Sequence, residues 1–424
     1  MSKEKYLNFI FTRYLYEKEE VEIALVLSLL YKKEDEALFW GFELYYSEFD
    51  QELWYLLWNI YIEFYATSNP GFETYLIKKC KEFQKSSCEK ERVKILGLTI
   101  QNFFIRPFNM DVFLLKQIYA NFELSSLSSF SENNNNKDLF EKLFSNLKEG
   151  GGVDWVVVFL KNIENELCFL KDLLEYLGSY PDSDSGSDSY PAINKTKILN
   201  NYKKTSEFIS SSFPFIDKKT FLLSKILNIY GYSQKKKMGK NIYITSDDES
   251  EFIIYETIQK QTDLEAYKIL KFARIFGIDD LNSLSLFHLK REKMDIREAF
   301  LNHWLYHASK SPVWFQRIHE YKGKVLEEEK KVVFLEEGEG EDECECECEC
   351  EDLLQSFYDH YGYEPDEQKK EIQDKSIALS TTYCKTWLQV YKECGFSTSF
   401  LEIDEEYLVQ LEKVVLFISV WNNS

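Results

Sequence analysis

The sequence predicts a mainly α-helical protein, built as stacked helical hairpins in a helical-repeat-like array with minor β elements. Apolar residues recur at spacings of three and four through most of the chain. In the central block, residues 23–65, short charged joints separate long apolar runs. The chain also carries only 16 Gly and 7 Pro to interrupt helices.

Within the central block, Leu53, Leu56, Leu57, Ile60 and Phe64 form one helical stripe, and Trp54, Trp58, Tyr61, Ile62 and Tyr65 form a second. A helix apolar on both sides needs neighbours on several faces, which places it inside an array. The preceding run repeats the pattern with Leu38, Phe42, Tyr45 and Phe49, and with Ala37, Trp40 and Leu44. Glu34 and Asp35 suit the positive end of one helix, and Asp50 suits the N-cap of the next. Short joints make antiparallel neighbours of consecutive helices. No fixed period names a particular repeat.

Further helices are expected at 3–18, 70–83, 90–104, 110–122, 138–148, 153–177, 193–210, 218–230, 249–260, 263–276, 294–310, 376–391 and 405–421. A strand is an equal reading of 155–160, and 242–245 and 332–335 are the short extended candidates. The expected organisation is an N-terminal helical array (1–123), a polar linker (124–137), a helical segment (138–178) and a Ser/Asp-rich mobile loop (179–191). A helical lobe (192–335) with a protruding Lys-rich loop (234–248) follows. An acidic Cys/Glu segment (336–352), expected to be disordered, precedes C-terminal helices (353–424).

The chain is 44% hydrophobic and 29% charged, ample for a core, and no run reaches the ~20 apolar residues of a membrane span. No membrane association is therefore expected. Its first residues contain acids and resemble neither a signal nor a transit peptide, so a cytoplasmic location is expected. Net charge is −21, about half of it from the eleven carboxylates of 336–352, which weighs against a broad phosphate-binding surface. Nine cysteines in such a chain should remain reduced. The 33 Phe and 28 Tyr read first as core filling.

The motifs that carry chemistry are missing: no phosphate-cradling glycine loop, no dinucleotide turn and no nucleophile elbow occur. His303 and His307 lie four apart with His319 beyond, a spacing metals use, but the run HWLYH lacks the glutamate of a zinc protease. Cys344, Cys346, Cys348 and Cys350 alternate with glutamate, unlike the CxxC knuckles of structural zinc sites. No catalytic residue, cofactor or metal is therefore assigned. Two surfaces are candidates: Trp54, Trp58 and Ile62 as a partner-binding stripe, with core burial as the favoured alternative, and Lys235, Lys236, Lys237 and Lys240 as a nucleic-acid contact.

The runs EIALVLSLLYKKEDEALFWGFELYYSEF and YGYEPDEQKKEIQDKSIA resemble stretches of uncharacterised helical proteins of giant double-stranded DNA viruses of amoebae and algae. The resemblance implies a viral protein of the host cytoplasm and carries no catalytic residue. The leading expectation is a non-enzymatic scaffold for protein partners. An RNA-associated or translation-initiation scaffold with a HEAT-like domain is the alternative, and a virion structural component is the third.

Overall fold

The computed structural model describes residues 9–121, 140, 160, 163, 165–179, 194–233, 235–246, 248, 251–256, 270, 273–277, 296–334, 347–371, 373, 386–395, 399–401, 405 and 408–409. The fold is mainly helical, and the described residues contain a single two-stranded sheet. No helix among them is long and apolar enough to cross a membrane. The chain divides into two interleaved compact units. The first comprises residues 1–53, 87–104 and 245–384, the second 54–86, 105–244 and 385–424.

In the first unit, α1 (Lys18–Leu30) is buried along nearly its whole length. Glu17 caps it by accepting from the Glu20 N–H at 2.9 Å. The helix ends where Lys32 adopts φ 57°, allowing the Lys33 N–H to reach the Ser28 carbonyl at 2.9 Å. Glycine usually takes this left-handed position, yet the chain places a lysine there, and Glu48 repeats the device with φ 65° after α2 (Glu34–Tyr45). Glu34, Asp35 and Glu36 occupy the first turn of α2, where carboxylates meet the positive helix end. Gly41 lets α2 approach α5 (Glu89–Phe104) closely, because a side chain at this position would strike Ile100.

The expected helix over 3–18 does not form in its described part. Residues 9–17 fold back on themselves, with Phe11 bridged to Glu17 and Leu15 at φ 59°. An apolar, aromatic run lacks the polar face that distinguishes helical from extended burial, so periodicity misleads here. Glu43 secures the segment, accepting from Arg13 Nε at 2.9 Å and from the Tyr14 N–H at 3.0 Å. Arg13 also donates to the Tyr255 carbonyl at 2.8 Å, and its guanidinium lies 4.3 and 4.4 Å from the Tyr14 and Tyr46 ring centres. Trp314 adds an indole N–H to the Thr12 carbonyl at 2.9 Å.

Asp50 is the first residue of α3 (Asp50–Ile60), and its carboxylate pairs with Arg92. The division between units falls within this helix, after Leu53. α3 runs on into a π-helical turn, Tyr61–Tyr65. The second unit adds α4 (Phe72–Lys85), α6 (Asp111–Asn121), α7 (Glu166–Ser179), α8 (Lys195–Ser212) and α9 (Lys218–Ser233). Its core includes Trp58, Phe64, Phe72, Leu76, Phe113, Tyr202 and Phe221.

In the first unit, the helix expected over 294–310 is divided. α10 (Ile296–Asn302) and α11 (Trp304–Ala308) meet at His303, whose φ of −131° leaves the helical range although its N–H still reaches the Ala299 carbonyl at 3.2 Å. α12 (Pro312–Glu320) leads to an antiparallel pair, β1 (Gly323–Leu326) and β2 (Lys331–Phe334), which takes up the 332–335 candidate. Of 249–260, only a 3-10 turn at Ile253–Tyr255 is a described helical element. Residues 242–245 lie outside any strand.

The acidic segment is not wholly irregular. α13 (Glu347–Tyr361) begins inside it. Residues 336–346 are outside the described residues, as are 124–137 and 180–191. Of 155–160, Leu160 alone is described, and it is helical and buried. In the second unit, α14 (Trp387–Val390) continues into a π-helical turn at Tyr391–Gly395.

Candidate functional site

The second unit concentrates polar chemistry around the corner 66–71, ATSNPG, between the π-turn and α4. Proline and glycine end the helical path there, leaving backbone groups that need partners. Asn69 supplies them, donating from Nδ2 to the Tyr65 carbonyl at 2.8 Å and the Pro107 carbonyl at 2.7 Å. Asn228 of α9 donates to the Thr67 carbonyl at 2.6 Å. The Asn109 N–H closes on the Phe64 carbonyl at 2.9 Å.

Below this corner, buried Glu73 joins separate helices. It accepts hydrogen bonds from Thr205 of α8 and from Tyr61 of the π-turn, and pairs with the ammonium of Lys225 from α9. Burial, reinforced by the Glu73 charge, raises the Tyr61 hydroxyl well above its ordinary value, which keeps it a donor. Lys116 of α6 meets Glu63 of the same π-turn at 2.8 Å. These groups arrange charge between helices in the interior.

The lysine loop follows α9 and rests on that corner. The Gly239 N–H donates to the Ser68 carbonyl at 2.8 Å, and any side chain at Gly239 would collide with Asn69. The Lys236 N–H reaches the Gly231 carbonyl at 2.9 Å, while Lys235 turns the chain with φ 53°. Arg106 Nη2 donates to the Ile242 carbonyl at 3.0 Å and stacks 3.8 Å from the Phe72 ring centre and 4.7 Å from that of Tyr243. The Tyr243 ring stacks on Tyr75 at 4.7 Å and 20°. The loop expected to protrude is thus pinned along its length, and Lys235, Lys236, Lys237 and Lys240 are exposed from it.

Beside the loop, the first residue of α6 holds the distal chain. Asp111 accepts from Ser399 Oγ at 2.5 Å and from the Phe400 N–H at 2.8 Å. Burial raises its carboxyl to about 6, against the opposing pull of these donors and of Lys236.

Trp54, Trp58 and Ile62 are not a partner surface in this fold, because all three are buried. Trp54 packs edge-on against Phe83, and Trp58 against Tyr61, Phe208 and Phe213. Their large rings fill the space between helices, as a doubly apolar helix requires. His303 breaks its helix, whereas His307 is buried between the rings of Phe9 and Phe11 at 5.6 and 5.9 Å. Burial, with Lys310 close by, lowers His307 to about 4. His319 lies exposed, stacked on Phe315. Among the described residues no group of three or more His, Cys, Asp or Glu side chains converges to hold a metal. Cys344 and Cys346 lie outside the described residues, and Cys348 and Cys350 fall within α13.

Sequence reasoning singled out the lysines but missed Glu73, Asn69, Arg106 and Asp111. Pro70 marked a helix start, yet nothing local identified the partners of the corner before it. In comparison with known proteins, no family model, curated protein or solved structure matches the chain.

Proposed function

We propose that the chain is a non-enzymatic α-helical scaffold for protein partners, acting in the cytoplasm of an infected host cell. The observation that carries this reading is the use made of buried charge. Glu43 holds the 9–17 segment, Glu73 joins the π-turn, α8 and α9, and Asp111 holds 399–400. Each carboxylate serves as a joint between segments distant in sequence, which is what a rigid framework needs. Apolar side chains such as Phe315 on α12 and Ile254, at 57% and 78% exposure, supply contact area on the outside. The viral setting rests on the resemblance of the central block and of the run near Tyr361.

Affinity capture of the tagged chain from infected cells, followed by reconstitution with purified proteins, tests the proposal. A stoichiometric protein partner that rebinds the purified chain, and does so less well after Phe315→Glu or Ile254→Glu, supports it. Absence of any reconstitutable partner, or turnover of a small substrate by the chain alone, would overturn it.

A further inference from the structure

We propose that the face carrying Lys235, Lys236, Lys237, Lys240, Tyr75 and Tyr243 binds single-stranded nucleic acid. On this face the lysines take backbone phosphates and the stacked tyrosines take an unpaired base.

Rigidity is the first support. A lysine run on a floppy loop is ordinarily only a solvated surface, and binding would have to order it at an entropic cost. Here the backbone is already held by Ser68, Gly231, Arg106 and the tight seat of Gly239 against Asn69. The ammonium groups therefore project from a fixed base. In a chain of net charge −21 the stretch 235–240 carries four lysines and no acid, so a polyanion is drawn to this place rather than to the whole surface.

The neighbouring rings decide which polyanion fits. Tyr75 and Tyr243 are half-buried and stacked on each other, and Arg106 lies against Tyr243. Lys79 stands 5.8 Å from the Tyr75 ring centre. Between Lys240 and Tyr243, Ile242 is 59% exposed and offers an apolar step. Phosphate-binding cations beside a ring stack and an exposed aliphatic group suit a strand whose bases are free to stack. A duplex hides its base faces, and an acidic peptide makes little use of aromatic rings.

Four neutralised phosphates on a single strand give a slope of log K against log salt of about −3. The test uses the full chain and a fluorescein-labelled oligouridylate of about 12 nucleotides, followed by anisotropy from about 50 to 200 mM KCl. The expected result is binding that favours the single strand over a duplex of equal length. Lys235→Gln, Lys236→Gln, Lys237→Gln and Lys240→Gln combined should weaken it on the order of ten-fold or more and flatten the salt slope. Tyr243→Leu should weaken it several-fold with the slope and the melting temperature unchanged, which separates stacking from charge and from the loop's fixation.

The quadruple variant changes exposed side chains only, so its melting temperature should stay at the wild-type value; a fall would assign the lysines to the fold. Gly239→Ala keeps every charge and displaces the loop, and it too should lose affinity. No binding at low salt, equal binding by the quadruple variant, or preference for duplex would overturn the proposal. Displacement by polyglutamate as effective as by unlabelled oligouridylate would overturn it in favour of an acidic polypeptide.

Discussion

The two units solve the same problem, holding non-helical or distant segments in a helical core, with different chemistry. In the first, Glu43 meets an arginine whose planar head also donates to the Tyr255 carbonyl and lies between two tyrosine rings. In the second, Glu73 meets a lysine, and the hydroxyls of Thr205 and Tyr61 supply the remaining donors. The Arg13 guanidinium distributes its charge over a fork and two aromatic faces, whereas the Lys225 ammonium is a compact charge with one ring beside it, Phe221 at 4.8 Å, and leans more on its carboxylate. The arginine joint should therefore tolerate damage that the lysine joint does not.

The largest effects are expected on removing one partner. Glu73→Ala strands the Lys225 ammonium in the interior and should cost about 3–5 kcal/mol, the range for breaking a buried pair. Glu43→Ala should fall at the lower end of that range, because Arg13 keeps a carbonyl and two rings. Denaturant unfolding of each variant measures both. Equal losses, or a greater loss at Glu43, would erase the distinction. Trp58→Ala, which empties space among Phe208, Phe213 and Tyr61, should cost a comparable 3–5 kcal/mol, or about as much as a lost ion pair.

Acid should shift the stability of the two units in opposite directions. His307 titrates at about 4 in the fold against an unperturbed value near 6.5. The unfolded chain therefore binds more protons in this window, and the stability His307 contributes to the first unit is lost as pH falls from about 6.5 toward 4. Asp111 has the opposite sign. Its folded value of about 6 exceeds the unperturbed 3.8, so its contribution to the second unit is present at low pH and lost as pH rises through about 6. Hydrogen exchange, corrected for intrinsic rates, should show protection falling in α11 and holding or rising in α6 on acidification. His307→Phe should remove the first trend and Asp111→Asn the second.

The smallest effect concerns the left-handed positions. Glu48→Gly relieves the strain of φ 65° but loosens the unfolded chain and removes a hydrogen bond from Gln316. The net gain in stability should stay under about 1 kcal/mol by thermal unfolding. A loss above that size would show that the Gln316 contact matters more than the backbone strain.

Much of the helical framework was legible, because apolar residues at three-and-four spacing and acids at helix starts are local signals. The bounds of α2, α5 and α9 follow from them closely. The 9–17 segment was not legible, since FIFTRYLY has no polar face to set a period. Neither was the division at His303, for nothing in the local pattern of 294–310 marks it. Trp58 and its stripe carried their burial in the sequence, because no helix apolar on two sides is stable alone in water. The lysines of the loop were visible as charge, but their fixation was not, for it rests on Ser68 and Arg106, far away in the chain. Glu73 was hidden among 72 acidic residues, and its partners Thr205 and Lys225 lie 132 and 152 positions onward. Pairing at that range leaves no trace in local pattern.

The central claim is that buried charge in this protein holds elements together, and a double-mutant cycle across Glu73 and Lys225 tests it most directly. Glu73→Leu, Lys225→Met and the two combined would be compared with the parent chain by urea unfolding. Each single change should be strongly destabilising, and the double variant should lose clearly less than the sum of the two. The expected coupling is about 2–3 kcal/mol. A coupling below about 0.5 kcal/mol, with losses that simply add, would contradict the account and leave Glu73 and Lys225 as independent groups.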